Sequence, residues 1–87
     1  MVSLASIQVE VDASFLYGVL ADHESDPEMA AVFRQMSDIE RGHALAFLSK
    51  NGLSENDLPA PSRRARVLQW IGHILGYDYI LGVLLDT

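Results

Sequence analysis

The spacing of apolar residues in the first fifty positions constrains the fold more than any other feature. From about Leu4 to Glu24, apolar residues recur every three or four positions, which is the period of an α-helix. A second stretch with this period runs from about Pro27 to Lys50. The residues between them, Ser25-Asp26-Pro27, suit the N-cap and first turn of a new helix. The pattern therefore predicts two helices of similar length that lie antiparallel.

The remainder of the chain predicts a linker and one more helix. Asn51-Gly52 favours a left-handed cap at the end of the second helix. Residues 53–62 contain two prolines and few apolar side chains, which is typical of a linker. A third helix is predicted from Arg63 to about Leu85. We expect an all-α fold with a helical hairpin in residues 1–58 and a linker and C-terminal helix, acting as a docking or oligomerisation arm, in residues 59–87.

Composition limits the kinds of site that this chain can build. It has no cysteine, which excludes a disulfide framework, a thiolate zinc site and an iron–sulfur cluster. The net charge is −6, and residues 1–58 hold ten acidic and three basic side chains, so we expect no nucleic-acid partner. A hairpin in a chain of 87 residues buries a thin core, which favours a homodimer or a higher even-numbered homo-oligomer.

The same sequence gives an expectation for location. Residues 1–6 lack a basic region followed by an apolar run, so no signal peptide is predicted. Residues 67–85 are apolar but are interrupted by polar side chains, which indicates a packed or interfacial helix rather than a membrane span. We expect a cytoplasmic protein, with the cytoplasmic face of a membrane as an alternative place.

Three polar residues lie where the helical pattern expects a core. Glu40 and His43 are three residues apart and project from one face of the second helix, and Glu10 lies on the first helix. Glu10 and Glu40 are each fifteen residues from Ser25, so a hairpin folded there places both about 22 Å from the turn. A buried carboxylate without a partner is costly, and a bound cation removes that cost. Two carboxylates and an imidazole suit Fe²⁺, Mn²⁺ or Zn²⁺.

Two hairpins related by a twofold axis would offer four carboxylates and two imidazoles. This is the ligand set of a di-metal four-helix bundle, in which two helices give one Glu each and the other two give Glu-x-x-His. In that arrangement Glu40 would bridge the two metals, and Glu10 and His43 would each bind one of them.

The motif also resembles a known family. Glu10 followed by Ala13 and Tyr17, with Glu40-x-x-His43 on the next helix, is similar to the rubrerythrin branch of the ferritin-like superfamily. More narrowly, the Arg-rich, Trp-containing stretch 63–70 resembles the rubrerythrin-like domain of vacuolar-iron-transporter-type membrane proteins. The resemblance implies a ferritin-like fold, binding of iron or manganese, and oxidation of Fe²⁺ by oxygen or peroxide. It also implies a chain that is either a fragment or a half-ferritin that must pair, because only one hairpin is present.

Several other residues have two interpretations. The Tyr17 hydroxyl either hydrogen-bonds a ligand carboxylate, acting as a catalytic auxiliary, or belongs to a core tyrosine. Glu24 is either an auxiliary metal ligand or part of a solvated helix end. We expect Asp12 and Asp38 to be solvated. We expect His73 and Asp78 to be packed or solvated and not to bind a metal.

The leading hypothesis is a metal-binding module with ferroxidase activity in metal storage, detoxification or transport. One alternative is a non-catalytic helical module that dimerises and docks on a membrane transporter domain. The other is a metal-sensing domain that regulates such a transporter without turnover.

Overall fold

The computed structural model describes residues 4–86, and within that range the chain is helical without β-strands. Its elements are the helices α1 (Leu4–His23), α2 (Pro27–Lys50), α3 (Arg63–Leu75) and α4 (Asp78–Leu85), with a 3₁₀ turn at Glu55–Asp57. The all-α prediction is confirmed. None of the helices in residues 4–86 combines the length and the apolar character that crossing a membrane requires.

Helices α1 and α2 form the predicted antiparallel hairpin. The Asp26 carboxylate accepts a hydrogen bond from the backbone N–H of Glu28 and caps α2. Near the middle of the hairpin the Ser14 hydroxyl donates to the carbonyl of Ser37 at 2.9 Å, and the Ser37 hydroxyl donates to the carbonyl of Ser14 at 2.7 Å. These small side chains let the two helices approach closely and fix which residues face each other. At the far end Gly52 has φ +72°, the left-handed conformation predicted there.

The prediction of a single third helix from Arg63 to about Leu85 is wrong. The chain instead forms α3 and α4, separated by Gly76, whose φ of +107° is incompatible with a continuing right-handed helix. The two short helices approach closely at Gly72, where an added Cβ would lie 2.4 Å from Cδ1 of Ile80. The glycines therefore allow a turn and a close helix contact.

Helix α1 is the centre of the molecule because its buried residues face in several directions. One part of the core joins the second half of α1 to α3 and α4; its buried members include Leu16, Val19, Leu20, Ala65, Leu68 and Ile80. A second part joins the first half of α1 to α2 through Ile7, Val11, Ala44 and Leu48. The C-terminal helices thus cover the side of α1 that α2 leaves free.

Asp12 is not the solvated residue that the sequence predicted. Its carboxylate is half-buried and accepts hydrogen bonds from the backbone N–H of Ser62 at 2.8 Å and from the Ser62 hydroxyl at 2.5 Å. The Ser62 hydroxyl oxygen accepts in turn from the backbone N–H of Ala65 and caps α3. Asp12 therefore attaches the start of α3 to the middle of α1. Asp38 is exposed, as expected.

Candidate metal centre

Three possible metal ligands meet between α1 and α2. The Ser14–Ser37 contact sets the level of the two helices, and Glu10 lies four residues before Ser14 while Glu40 lies three residues after Ser37. Since the helices are antiparallel, both carboxylates lie at the same height along the axis of the hairpin. One ligand atom from each of Glu10, Glu40 and His43 lies within 4.8 Å of the other two. The structure therefore brings together the three residues that the sequence singled out.

One oxygen of this cluster is buried without a hydrogen-bond partner. Among the described residues, Oε2 of Glu10 is the buried side-chain oxygen or nitrogen atom left in this state. Its neighbour is Nδ1 of His43 at 3.5 Å, which is an ion-pair distance but too long for a good hydrogen bond. A buried polar atom without a partner costs about 1–3 kcal/mol. A cation placed among the three side chains would remove this cost.

The protonation of Glu40 reflects the crowding of acids. Its pKa is raised to about 7, first by burial, then by a hydrogen bond that the protonated Glu40 carboxyl can donate to Glu10, and then by the negative charge of Glu10, while His43 acts in the opposite direction. Two carboxyl groups this close resist ionising together. Near neutral pH the Glu40 carboxyl therefore holds a proton for part of the time, at the place where a metal ion would supply positive charge.

Tyr17 lies close to the cluster and is buried. Burial raises the pKa of its hydroxyl, and the charge of Glu40 raises it further. No hydrogen bond between this hydroxyl and a carboxylate occurs in residues 4–86, so the position is that of a core tyrosine near the acids. Its action on a ligand carboxylate stays a prediction.

The cluster is open on one side. The Glu10 side chain is 22% exposed and the His43 side chain is 55% exposed. Three protein ligands leave coordination positions free on Fe²⁺, Mn²⁺ or Zn²⁺. Exposed apolar side chains lie on the same flank of α2 as His43, at separations of three, seven and four residues that keep them on one side of the helix; they are Met29, Val32 and Ile39.

The other candidate residues are not part of this cluster. Glu24 lies at the turn, where its carboxylate accepts from the backbone N–H of Asp26 at 3.1 Å. It is fourteen residues from Glu10, which is about 21 Å along a helix. His73 is exposed with its Nδ1 3.2 Å from the Tyr77 hydroxyl oxygen, and Asp78 is exposed at the start of α4.

Helical spacing predicted all three cluster residues but not the serines that set their level. The sequence could have indicated a contact between Ser14 and Ser37, because each is a small polar residue on a face that otherwise packs against the other helix. The chain matches no protein-family model, no curated protein and no solved structure. The resemblance to the rubrerythrin branch therefore stays a prediction.

Proposed function

We propose that Glu10, Glu40 and His43 bind iron or manganese, and that two copies of the chain share a di-metal site. The observation that carries the proposal is the buried Oε2 of Glu10, which has no hydrogen-bond partner among the described residues inside a cluster of three ligand atoms. Oxygen and imidazole donors are the ligands that these metals accept in proteins. The donor set and the unsatisfied oxygen both fit a divalent cation.

Proton exchange at Glu40 couples binding to pH. Its pKa of about 7 means that a metal ion must displace a proton from a fraction of the molecules near neutral pH. The displaced proton leaves Glu40, and Glu10 gains the partner that its buried oxygen lacks. Metal affinity should therefore rise with pH through neutrality.

Pairing of two hairpins accounts for the open side of the cluster. The exposed apolar side chains next to His43 supply surface that a second copy would bury, and α1 and α2 from two chains make four helices. This would be a ferritin-like arrangement with four carboxylates and two imidazoles. Burial between copies would also exclude water from His43, which is exposed in a single chain.

We propose that the assembled site oxidises Fe²⁺. Bound iron supplies the electrons that reduce oxygen or peroxide. In this chain, Glu10 and Glu40 hold the cation, Glu40 exchanges the proton, and His43 contributes a nitrogen ligand. The Tyr17 hydroxyl, which is buried near the acids, would hydrogen-bond a ligand carboxylate.

Metal analysis combined with native mass measurement tests the proposal. The purified chain should hold about one Fe²⁺ or Mn²⁺ per chain in an even-numbered assembly. Glu10→Gln and His43→Ala should each weaken binding at least about tenfold with the helical circular-dichroism spectrum retained. Asp38→Asn is the matched control, because Asp38 is an exposed acid two residues from Glu40 and should leave binding unchanged.

Two results would contradict the proposal. Equal metal content in the Glu10→Gln, His43→Ala and unmodified chains would show that the cluster is not the site. Binding of Fe²⁺ without consumption of either oxygen or added peroxide would retain the site but overturn the ferroxidase activity, and would favour the metal-sensing alternative.

A further inference from the structure

The outer face of α3 carries large apolar side chains in contact with solvent. The helix packs inwards through Ala65, Leu68 and Gly72. On the opposite face Val67, Trp70 and Ile74 are 47%, 63% and 57% exposed. Their spacing of three and four residues places them in one row along the helix, which we call the α3 stripe. A contiguous apolar row on a surface marks an interaction site more often than isolated exposed residues do.

Basic side chains lie at the amino-terminal end of the α3 stripe. Helix α3 contains no acidic residue, and Arg63, Arg64 and Arg66 are all exposed. Helical geometry places Arg63 at the start of the row, with Arg66 and Arg64 on its two flanks. In the described part of the chain none of these three arginines forms an ion pair, whereas Arg34 and Arg41 pair with Asp22 and Glu55 at 2.6 Å. The chain as a whole has a net charge of −6, so this positive surface is a local exception.

A groove next to Trp70 adds further hydrogen-bond donors. It has a volume of about 390 Å³ and no carboxylate among its lining residues, which are His23, Arg66, Gln69, Trp70, His73 and Tyr77. The Tyr77 ring fixes one wall, because it stacks on the His23 ring at 4.2 Å between centroids. Arg66 and Gln69 can both donate hydrogen bonds to an anion in this groove.

We propose that the outer face of α3 binds the surface of a membrane containing anionic lipids. Trp70 would lie among the headgroups, Val67 and Ile74 would contact the acyl boundary, and the arginines would bind lipid phosphates. Trp is enriched at this depth of a bilayer, and an amphipathic helix with basic residues beside its apolar row is typical of interfacial binding. The surface is independent of the metal cluster, so the proposal does not depend on metal binding.

The charge pattern argues against a second copy on the same face. A twofold contact with the two α3 helices parallel would bring the three arginines of one chain against the same three of the other. With the two helices antiparallel, the arginines lie at opposite ends of the contact and face no acidic side chain, because α3 contains none. Neither contact neutralises the arginines, which favours a partner of opposite charge. The acidic hairpin of another copy could also supply negative charge. Trp70 fluorescence measured with and without vesicles distinguishes binding to a second copy from binding to lipid.

Trp70 is the only tryptophan in the chain, so its fluorescence reports directly on the α3 stripe. The intact chain is mixed with vesicles of phosphatidylcholine and phosphatidylserine, or of phosphatidylcholine alone. We expect a blue shift of Trp70 emission and co-sedimentation with the anionic vesicles only. Raising the salt concentration should reverse both effects, because screening weakens attraction between exposed charges.

The six basic side chains offer a matched pair of variants. Three lie on α3, and the other three, Arg34, Arg41 and Lys50, lie on α2. The triple Gln variant of Arg63, Arg64 and Arg66 should lose at least about tenfold in affinity for anionic vesicles, since each basic residue near such a surface contributes to binding. The triple Gln variant on α2 has the same net charge and should retain its affinity.

Three outcomes would overturn the proposal. The first is no binding to anionic vesicles, and the second is equal binding to phosphatidylcholine alone. The third is a blue shift without vesicles that grows with protein concentration, which would assign the α3 stripe to a second copy. If the α3 variant fails to fold by circular dichroism, the salt dependence of the unmodified chain decides between these outcomes and the proposal.

Discussion

Two carboxylates on α1, two residues apart, have opposite surroundings. The Asp12 carboxylate accepts hydrogen bonds from Ser62 and from the Gln8 side chain, so both of its oxygens are satisfied. Glu10 keeps a buried oxygen without a hydrogen-bond partner among the described residues. The first carboxylate holds the fold together, and the second is available to bind a ligand. The hydrogen-bond partners around each carboxylate, and not the residue type, therefore distinguish their roles.

Glu40→Gln should change how the stability of the metal-free chain depends on pH. Because the pKa of Glu40 is raised to about 7, the folded state binds its proton more tightly than the unfolded chain does. This contribution to stability is fully present below the ordinary glutamate pKa and is lost as pH rises through about 7. We therefore expect the unmodified chain to lose about 1–2 kcal/mol relative to Glu40→Gln between about pH 5 and about pH 8.

Urea denaturation in a metal chelator measures this difference. Glu28→Gln is the matched control, since Glu28 is exposed in the first turn of α2. This substitution should change the free energy of unfolding by an amount that stays constant over this pH range. Parallel stability curves for the Glu40→Gln and unmodified chains would refute the role of Glu40.

Asp12→Asn should loosen α3 from α1. Asparagine keeps the shape but loses the charge that strengthens the bonds from Ser62, so we expect a loss of about 1–3 kcal/mol in the free energy of unfolding. Hydrogen exchange at the Ala65 amide should accelerate, because that amide donates to the Ser62 hydroxyl oxygen. Asp38→Asn, on the exposed side of α2, should do neither. Unchanged exchange at Ala65 would show that the contact does not stabilise the cap.

Among the elements, the α3–α4 turn depends on the absence of a side chain at Gly72. Ile80 is fully buried, so it has little space to move away from an added Cβ at 2.4 Å. Gly72→Ala should therefore destabilise the chain by about 1–3 kcal/mol in chemical denaturation. Gly82→Ala is the control, because no atom lies within 4 Å of its added Cβ and alanine favours a helix. A Gly72→Ala chain as stable as Gly82→Ala would contradict the close contact.

The local sequence predicts α1 and α2 closely because their ends carry strong signals. The predicted bounds of α2 match the structure, and Asp26, Pro27 and Gly52 take the positions expected of them. The equal height of Glu10 and Glu40 along the hairpin could also be predicted, since a short turn leaves little freedom in how the helices align. Their use as metal ligands stays a prediction.

Contacts between different helices and loops explain the predictions that were wrong. The break at Gly76 is set by Ile80 folding back onto Gly72, and the apolar pattern on either side gives no sign of it. The burial of Asp12 comes from Ser62, fifty residues away. Helical periodicity reports which face is apolar, but it does not report which distant segment covers that face.

At the scale of the whole molecule, residues 4–86 carry two separate apolar surfaces that we propose to be binding surfaces. One is the flank of α2 beside the metal cluster, and the other is the α3 stripe. The proposed pairing of hairpins would use the first and leave the second exposed. A dimer could then present two α3 stripes at once, which would strengthen binding to an extended surface.

Ile39→Ser should weaken the dimer without unfolding the chain. Ile39 is exposed in a single chain and lies on the flank of α2 next to His43, so its substitution removes apolar area only from the proposed interface. Sedimentation with Mn²⁺ present should show at least about a tenfold rise in the dimer dissociation constant. Val9→Ser is the control, because Val9 is an exposed apolar residue of α1 outside that flank. Removal of metal by a chelator should weaken the dimer as well. Dimers that resist both Ile39→Ser and chelation would show that pairing uses another face.

The central position of α1 also affects how the protein is made. A ribosome releases the amino-terminal part first, so α1 and α2 emerge while Leu68 and Ile80 are still to be added. Until those residues arrive, Leu16 and Leu20 have no cover on the side that α3 and α4 later occupy. The nascent hairpin therefore exposes apolar surface that can associate with another incompletely folded chain. Correct folding requires that α4 is translated before two such intermediates meet.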